Sequence, residues 1–475
     1  MKNCGEPILG AALPSLKRFK SAVCGTLWLV GLGITPWTYA VTYSLTDLGT
    51  LGGTLSYAFG INNVGQVVGQ SYRTGDLTAA AVLWTSGAIT ELGSLGGTLT
   101  WAYDINDSGQ IVGDGDVIGN TAVRALLWSG GTLTDLGTLG GAEGVATSIN
   151  DAGQVVGRSS TGVTSHATLW SEGTITDLDP FAPRNSSAEG INASGQVAGW
   201  SENASFLQRP VLWASGTMTD LGTLGGARGW AEGINNAGQV VGTSFIVDDA
   251  TAHATLWSGG SITDLGTLGG LSSSALAINS AGLVVGFSAL PGAGGPRAFL
   301  WDGCTMTDVN ALLDSNGVGW TLQIATAIND AGQIVGSALN ASGETHAYLL
   351  SPASTPVPRC YIVAIDIKPG TLPNSITLKG KGVVPVAILS SSTLNVVEVD
   401  VNTVLFAGAS SEKFVYEDVN SDGVADLVLH FRTQDLHLTP QSTEATLTCK
   451  LRNGDSIIGT DSVSIVPPGG KSGKD

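Results

Sequence analysis

Ile234-Asn235-Asn236-Ala237-Gly238-Gln239-Val240-Val241-Gly242 decides the fold, because the chain repeats it. Variants of this segment begin at Ile61, Ile105, Ile149, Ile191, Ile234, Ile278 and Ile328, spaced by 44, 44, 42, 43, 44 and 50 residues. A Leu-Trp pair follows the first six copies, with Trp84, Trp128, Trp170, Trp213, Trp257 and Trp301, and the seventh carries Leu349-Leu350. A Thr-Asp-Leu-Gly-Thr-Leu-Gly-Gly segment, varied in places, leads to the next copy. Around Ile234 the unit reads as four strands, at about 230–234, 239–245, 253–257 and 262–265. Alternating apolar positions, β-branched residues and Gly-containing turns favour strands, and no window sustains a helical period.

Four strands every 40–45 residues is the signature of a β-propeller blade. The ends of the array are unequal. Residues 43–53 make a fourth strand and linker with nothing before them, whereas the seventh copy stops after its third strand, at 347–350, and meets Pro352, Pro356 and Pro358. The orphan strand at the start is the piece missing at the end. Pairing the two closes a ring and leaves no incomplete sheet edge, whereas an open solenoid would want capping repeats. The expectation is an all-β chain: a seven-bladed propeller of four-stranded blades over 41–351, closed by its N-terminal strand. Its innermost strands are small, as in Ala146-Thr147-Ser148 and Ala275-Leu276-Ala277, and its tryptophans pack between blades. The first–second and third–fourth turns lie on one face, and the linkers and second–third loops on the other.

The motif, followed by His-Ala-x-Leu-Trp at 166–170 and 253–257, resembles the HAF repeats of bacterial extracellular proteins over about residues 43–351. That resemblance implies secretion or a cell-surface location in a bacterium, and no particular reaction.

Composition agrees. The 475 residues include 67 glycines, with only 13% charged and 43% apolar positions, which excludes both disorder and collagen. Residues 1–40 read as an export signal: Lys17, Arg18 and Lys20 precede an apolar run from Ala22 to about Ile34, then Thr38-Tyr39-Ala40. The run is short for a bilayer span, so a cleaved signal is expected over an uncleaved anchor, and no span in the mature form. A net charge of −18 argues against nucleic acid and anionic lipid as partners and suits cations, glycans or proteins. A monomer is expected. Cys360 and Cys449, near the two ends of the C-terminal domain, are expected to pair, leaving Cys304 free.

The regular polar features read mostly as structure. The asparagines Asn62, Asn106, Asn150, Asn192, Asn235, Asn279 and Asn329 suit turn caps. His166, His253 and His346 share one slot on the third strand with Arg124, Arg209 and Arg297, too far from the axis to converge. The second–third loops vary while the frame repeats, so recognition is expected there. Their candidate contacts are Tyr72, Arg73, Trp200, Glu202, Phe206, Arg209, Phe245 and Asp248, with Asp76, Asp114, Asp116 and Asp249 beside them. The Gly-rich linker precedes a strand and lacks a Lys-Ser/Thr ending, so it is no phosphate cradle. No nucleophile elbow, His-Glu-x-x-His or paired cysteine ligands occur.

A Pro-rich linker is expected at 352–359, a β-sandwich at 360–467 and a loose tail at 468–475. The sandwich strands are expected at 361–367, 383–389, 404–407, 427–431, 445–451 and 461–466. Its segments 364–370 and 385–389 resemble an uncharacterised C-terminal module of secreted bacterial proteins. Asp418-Val419-Asn420-Ser421-Asp422-Gly423-Val424-Ala425-Asp426 sets oxygen ligands at alternate positions around a turn glycine, the arrangement calcium requires. Asp418, Asn420, Asp422, the Val424 carbonyl and Asp426 are the candidate ligands, and Leu429 stands where an EF-hand has glutamate. The leading functional expectation is a non-catalytic binding protein for a glycan or protein. The alternatives are an extracellular hydrolase or lyase with its site at the propeller mouth, and a structural matrix component.

Overall fold

In the fifth unit the strand Gly225–Ile234 turns at Asn235 and returns as Val240–Ile246. Asn235 holds the turn: its Oδ1 accepts the Gln239 amide at 3.0 Å and its Nδ2 donates to Gln239 Oε1 at 2.8 Å. Gly238 lies at φ +75°, open to glycine without strain. A Cβ on Gly242 would run into the Trp230 carbonyl oxygen across the hairpin. Backbone geometry therefore requires both motif glycines.

The computed structural model describes residues 42–180, 184–247, 249–292, 294–353, 357, 359–378, 382–391 and 394–466. The leader expected at 1–40, the tail at 468–475 and Asp248 lie outside these residues. The described chain is all-β, with many small sheets and three short 3-10 turns as its only helices. No described helix is long and apolar enough to cross a membrane.

Each repeat is an antiparallel four-stranded unit. The first comprises Gly52–Ile61, Val67–Arg73, Ala79–Thr85 and Ala88–Glu91. Later first strands are Gly96–Ile105, Gly144–Ile149, Ser186–Ile191, Gly225–Ile234, Ser273–Ile278 and Thr321–Ile328. Four units are separate sheets; the others merge into a 12-stranded sheet through single parallel bridges, Leu55 to Thr345 and Ala79 to Leu99. The last unit runs Thr321–Ile328, Ile334–Leu339 and Thr345–Pro352, and takes its fourth strand, Tyr43–Asp47, from the start of the described chain. Tyr43 pairs with Pro352 and Asp47 with Tyr348. Leu48 N donates to Ala347 O at 3.0 Å and Ala353 N to Thr42 O at 2.8 Å. The orphan strand fills the gap the sequence left for it.

Each first strand packs on the first strand of the next unit, and the last on the first. The motif asparagines follow the same cycle. Asn62 Nδ2 donates to Asn106 O, and so on through Asn150, Asn192, Asn235 and Asn279 to Asn329, whose Nδ2 returns to Asn62 O, at 3.0–3.1 Å throughout. The tryptophans join neighbours, as expected: Trp128 packs with Val68 and Ala81 of the preceding unit, and Trp84 with Val335 and Ala347 of the last.

After the seventh unit Pro352 ends a strand, Val357 is buried against the last two units, and 354–356 and 358 lie outside the description. The C-terminal region has a five-stranded and a four-stranded sheet over one apolar core, in which Phe406 and Phe431 meet at 5.3 Å. The strand expected at 361–367 is two. Cys360–Ile362 runs parallel to Ser456–Ser462, and Ile365–Ile367 joins the other sheet, because the chain crosses between layers at 363–364. Lys413–Glu417 and Ser456–Ser462 are further strands that the sequence reading did not place.

The expected Cys360–Cys449 pairing is corrected. Cys360 is bonded to Cys304, with Cα atoms 5.5 Å apart. Cys360 N donates to Asp302 O, which sets Cys360 beside the turn holding Cys304. Cys449 is buried among Phe406, Leu447 and their neighbours, a free thiol whose pKa burial pushes up to about 12.

Candidate functional site

The residues first singled out for recognition are spread over three units, though Arg209 reaches the fifth through the Ala227 carbonyl, next to the Arg228 that covers Phe245. Tyr72 and Arg73 end one strand, Trp200 and Glu202 another, Arg209 sits on Gln208–Ala214, and Phe245 on Val240–Ile246; they belong to the first, fourth and fifth units. Most are engaged locally. Arg73 pairs with Glu91, Arg209 with Asp220 at 3.0 Å, and Glu202 accepts the Asn185 amide at 3.1 Å. Arg228 covers the Phe245 ring at 4.4 Å. Phe206 is exposed in a turn at φ +60°, with Arg184 5.4 Å from its ring centre. Asp76 and Asp249 pin the linkers by accepting the Thr54 and Ala227 amides.

The shared histidine slot is structural. His166, His253 and His346 bond Asp177, Asp264 and Asp47 on the fourth strands, at 2.8, 2.8 and 3.0 Å. Arg124–Asp135 and Arg209–Asp220 repeat the pairing with arginine.

The cycle of first strands holds two belts of different character. At the turn end, the Ile-Asn-x triplets of all seven units line a recess of about 240 Å³. Its rim is self-satisfied: Asn63 N donates to Asp107 Oδ1, Asp107 N to Asp151 Oδ1, and Asp330 N to Asn63 Oδ1.

Two residues before each motif isoleucine, the second belt reads Phe59, Tyr103, Thr147, Glu189, Glu232, Leu276 and Thr326. Several of these side chains reach the next unit. Thr147 Oγ1 donates to Ala188 O and Thr326 Oγ1 to Ala58 O, both at 2.8 Å, while the Phe59 and Tyr103 rings meet at 5.5 Å. This position holds five residue types over the seven units, although the frame around it repeats. One arc is aromatic, with Tyr57 stacked on Phe59, and another is acidic.

Strand hairpins supply the acidic arc with partners. Trp200 Nε1 donates to Glu189 Oε1 at 3.2 Å, and the Trp230 indole serves Glu232. Tyr103 lies beside Asp114, with the Arg158 guanidinium near Tyr103, Asp114 and Glu189. Asp114, expected in a loop, lies on the strand Ile111–Val117 and is 5% exposed; its Oδ1 has no hydrogen-bond partner among the described residues. Burial, with the Glu189 charge adding to it, pushes Glu232 up to about 8. Burial likewise raises Asp114 to about 7, against Tyr103 and Arg158, and raises Glu189. Glu189 and Glu232 keep some solvent contact although protein surrounds them. The belt thus offers carboxyls of raised pKa beside an exposed cation, indole rings and aromatic faces. Sequence reasoning passed over Tyr103, Arg158, Glu189, Trp230 and Glu232. The signal was present: aligned on the motif isoleucine, these columns vary where the rest repeats.

The loop 418–426 joins strands Lys413–Glu417 and Asp426–Arg432. Asp418 accepts the Asp422 and Gly423 amides at 3.2 and 2.9 Å, Asn420 Oδ1 accepts the Asp422 amide at 3.1 Å, and Asp422 Oδ1 accepts the Val424 amide at 2.8 Å. Asp426 is buried, holding the Ser390 and Val419 amides at 2.8 and 3.1 Å. Asp418, Asn420 and Asp422 are therefore exposed, oxygen-only donors around Gly423 at φ +87°, and the donor chemistry fits a hard cation. Among the described residues, no three His, Cys, Asp or Glu side chains gather as a metal centre.

No protein-family model and no curated protein matches the chain. Among solved structures it is similar to TolB from Acinetobacter baumannii, with 13% identity, a TM-score of 0.33 and 51% of this chain covered; the match spans 64% of the TolB chain. It is also similar to a fungal alcohol oxidase of the AA5 family in complex with copper, with 12% identity, a TM-score of 0.36, and 90% and 100% of the two chains covered. The third is SGBP-B of a Bacteroides ovatus mixed-linkage glucan utilization locus, in complex with a mixed-linkage heptasaccharide. It shows 9% identity and a TM-score of 0.14 over 85% of this chain and 60% of that one. At these scores none of the three bears on what this chain binds.

Proposed function

We propose that this chain is an exported, non-catalytic binding protein: a seven-bladed β-propeller that meets a glycan or protein at the second belt. The observation that carries the reading is the contrast between belts. Seven units repeat their turn asparagines with one break in the glutamine partner, Leu283, yet diverge where Phe59, Tyr103, Glu189 and Glu232 face the strand cycle. A frame held constant around one variable patch is how binding sites sit on repeat scaffolds. Closure of the array supports the propeller, and the Cys304–Cys360 disulfide suits an oxidising compartment. The test is retention of the mature protein on glycan and cell-envelope arrays. Binding lost in Glu232→Gln and Trp200→Ala, with the fold intact by circular dichroism, supports the reading. Retention unaffected by both substitutions contradicts it.

A second reading has one observation behind it: Glu189 and Glu232 are adjacent carboxylates of raised pKa, as a hydrolase or lyase needs for acid–base work. Turnover of a retained glycan, abolished in Glu232→Gln while binding persists, would favour it over the first.

The C-terminal region serves in this proposal as a β-sandwich stiffened by calcium at 418–426. Asp418, Asn420, Asp422 and the Val424 carbonyl would hold the ion, and Asp426 would anchor the loop from beneath. Calcium raises the melting temperature on this reading, and the increment, rather than the baseline, disappears in Asp422→Ala. An unchanged melting temperature with calcium removes the site.

A further inference from the structure

The strand Lys413–Glu417 is the outer member of the four-stranded C-terminal sheet. It pairs with Asp426–Arg432 along one edge and with no described strand along the other. All five of its residues are exposed, including Phe414 at 47%, Val415 at 43% and Tyr416 at 38%. Phe414 and Tyr416 share one face, their rings 5.9 Å apart, with no apolar cover. An open edge with exposed aromatic and β-branched side chains is what folded proteins ordinarily blunt.

The order of the five residues says what covers it. Lys413-Phe414-Val415-Tyr416-Glu417 is complementary to itself when run antiparallel about Val415. Lys413 of one copy then stands opposite Glu417 of the other, Phe414 opposite Tyr416, and Val415 opposite Val415. Every cross-strand pair is of a favourable type: two opposite-charge pairs, two aromatic pairs and one β-branched pair. Neither Lys413 nor Glu417 has an ion-pair partner among the described residues, whereas Glu412 next to them is taken by Arg432. Lysine on an open edge usually discourages pairing. Here its opposite charge sits four residues away, where a two-fold partner strand needs it. A shift of the register by two residues would lose the charge pairs.

We propose that this edge joins two copies of the chain, by antiparallel pairing of Lys413–Glu417 with itself, into a continuous eight-stranded sheet. The contact is isologous, so it closes at the dimer and does not propagate. It is short, and association is therefore concentration-dependent.

Sedimentation equilibrium of the mature protein tests this. The wild-type chain is expected to show a monomer–dimer equilibrium. Lys413→Glu alone, and Glu417→Lys alone, set like charges opposite each other twice per dimer and weaken association by about tenfold or more. The double substitution Lys413→Glu/Glu417→Lys restores it. Near-ultraviolet circular dichroism of each variant checks that the fold persists. A wild-type chain monomeric at every concentration overturns the proposal. So does a dimer insensitive to the single substitutions, which places the interface elsewhere, or a double variant no better than the singles.

Discussion

Asn150 closes its own turn and ties it to the next unit with a single side chain. Its Oδ1 accepts the Gln154 amide at 3.0 Å, and its Nδ2 donates to Gln154 Oε1 at 2.9 Å and to Asn192 O at 3.1 Å. The sequence made the first role legible, since asparagine after a strand and before Ala-Gly marks a turn. The bond to the next unit was not legible, because nothing local specifies a partner 42 residues away. Asn150→Ala leaves buried polar groups unpaired, so urea unfolding should show a loss of about 1–3 kcal/mol. Glu232 makes a separate prediction. Between its ordinary value of 4.5 and about 8, the folded chain holds a proton that the unfolded chain has released. Stability contributed by the protonated carboxyl is present at acid pH and lost as pH rises through that window. Asp114 acts likewise from 3.8 to about 7. Melting temperature should therefore decline from pH 5 to 8, and Glu232→Gln should flatten the decline. An equal slope in the variant would show that Glu232 does not titrate in this way.

Among the elements, strand existence followed from pattern and strand ends did not. In the fifth unit the second strand, expected at 239–245, runs Val240–Ile246, whereas the first, expected at 230–234, begins at Gly225. The glycines 225 and 226 hid that extension, since a glycine pair reads as a turn. The C-terminal region was harder. Its strands change sheets at 363–364, and a continuous apolar run carries no mark of such a crossing. Its disulfide was misjudged for the same reason, because Cys360 belongs spatially to the sixth unit's turn at Asp302. The closing strand Tyr43–Asp47 tests the element scale. Leu45 is 8% exposed and pairs with Leu350. Leu45→Pro disturbs both core and ladder and should cost about 3 kcal/mol or more in urea unfolding. A loss below about 0.5 kcal/mol, the range of ordinary surface changes, would mean that the strand adds nothing to the last sheet.

For the whole molecule, periodicity carried the architecture and could not carry the site. A repeat announces what is common to its copies, and the belt of Phe59, Tyr103, Thr147, Glu189, Glu232, Leu276 and Thr326 is what they do not share. The loops drew attention first because they vary while the frame repeats, yet Arg73, Arg209, Asp76 and Asp249 spend their polar groups on the frame. The account depends most on the ends of the repeat array meeting in one sheet, with Ser44 opposite Ser351. Facing residues of antiparallel strands lie about 4.5–5.5 Å apart at Cα, within disulfide reach. The direct measurement is cross-linking of the Ser44→Cys/Ser351→Cys variant in the folded state, read by mobility with and without reductant. The account predicts a bond that forms without unfolding and is absent from either single variant. Two thiols that stay free under oxidation in the folded protein would contradict it.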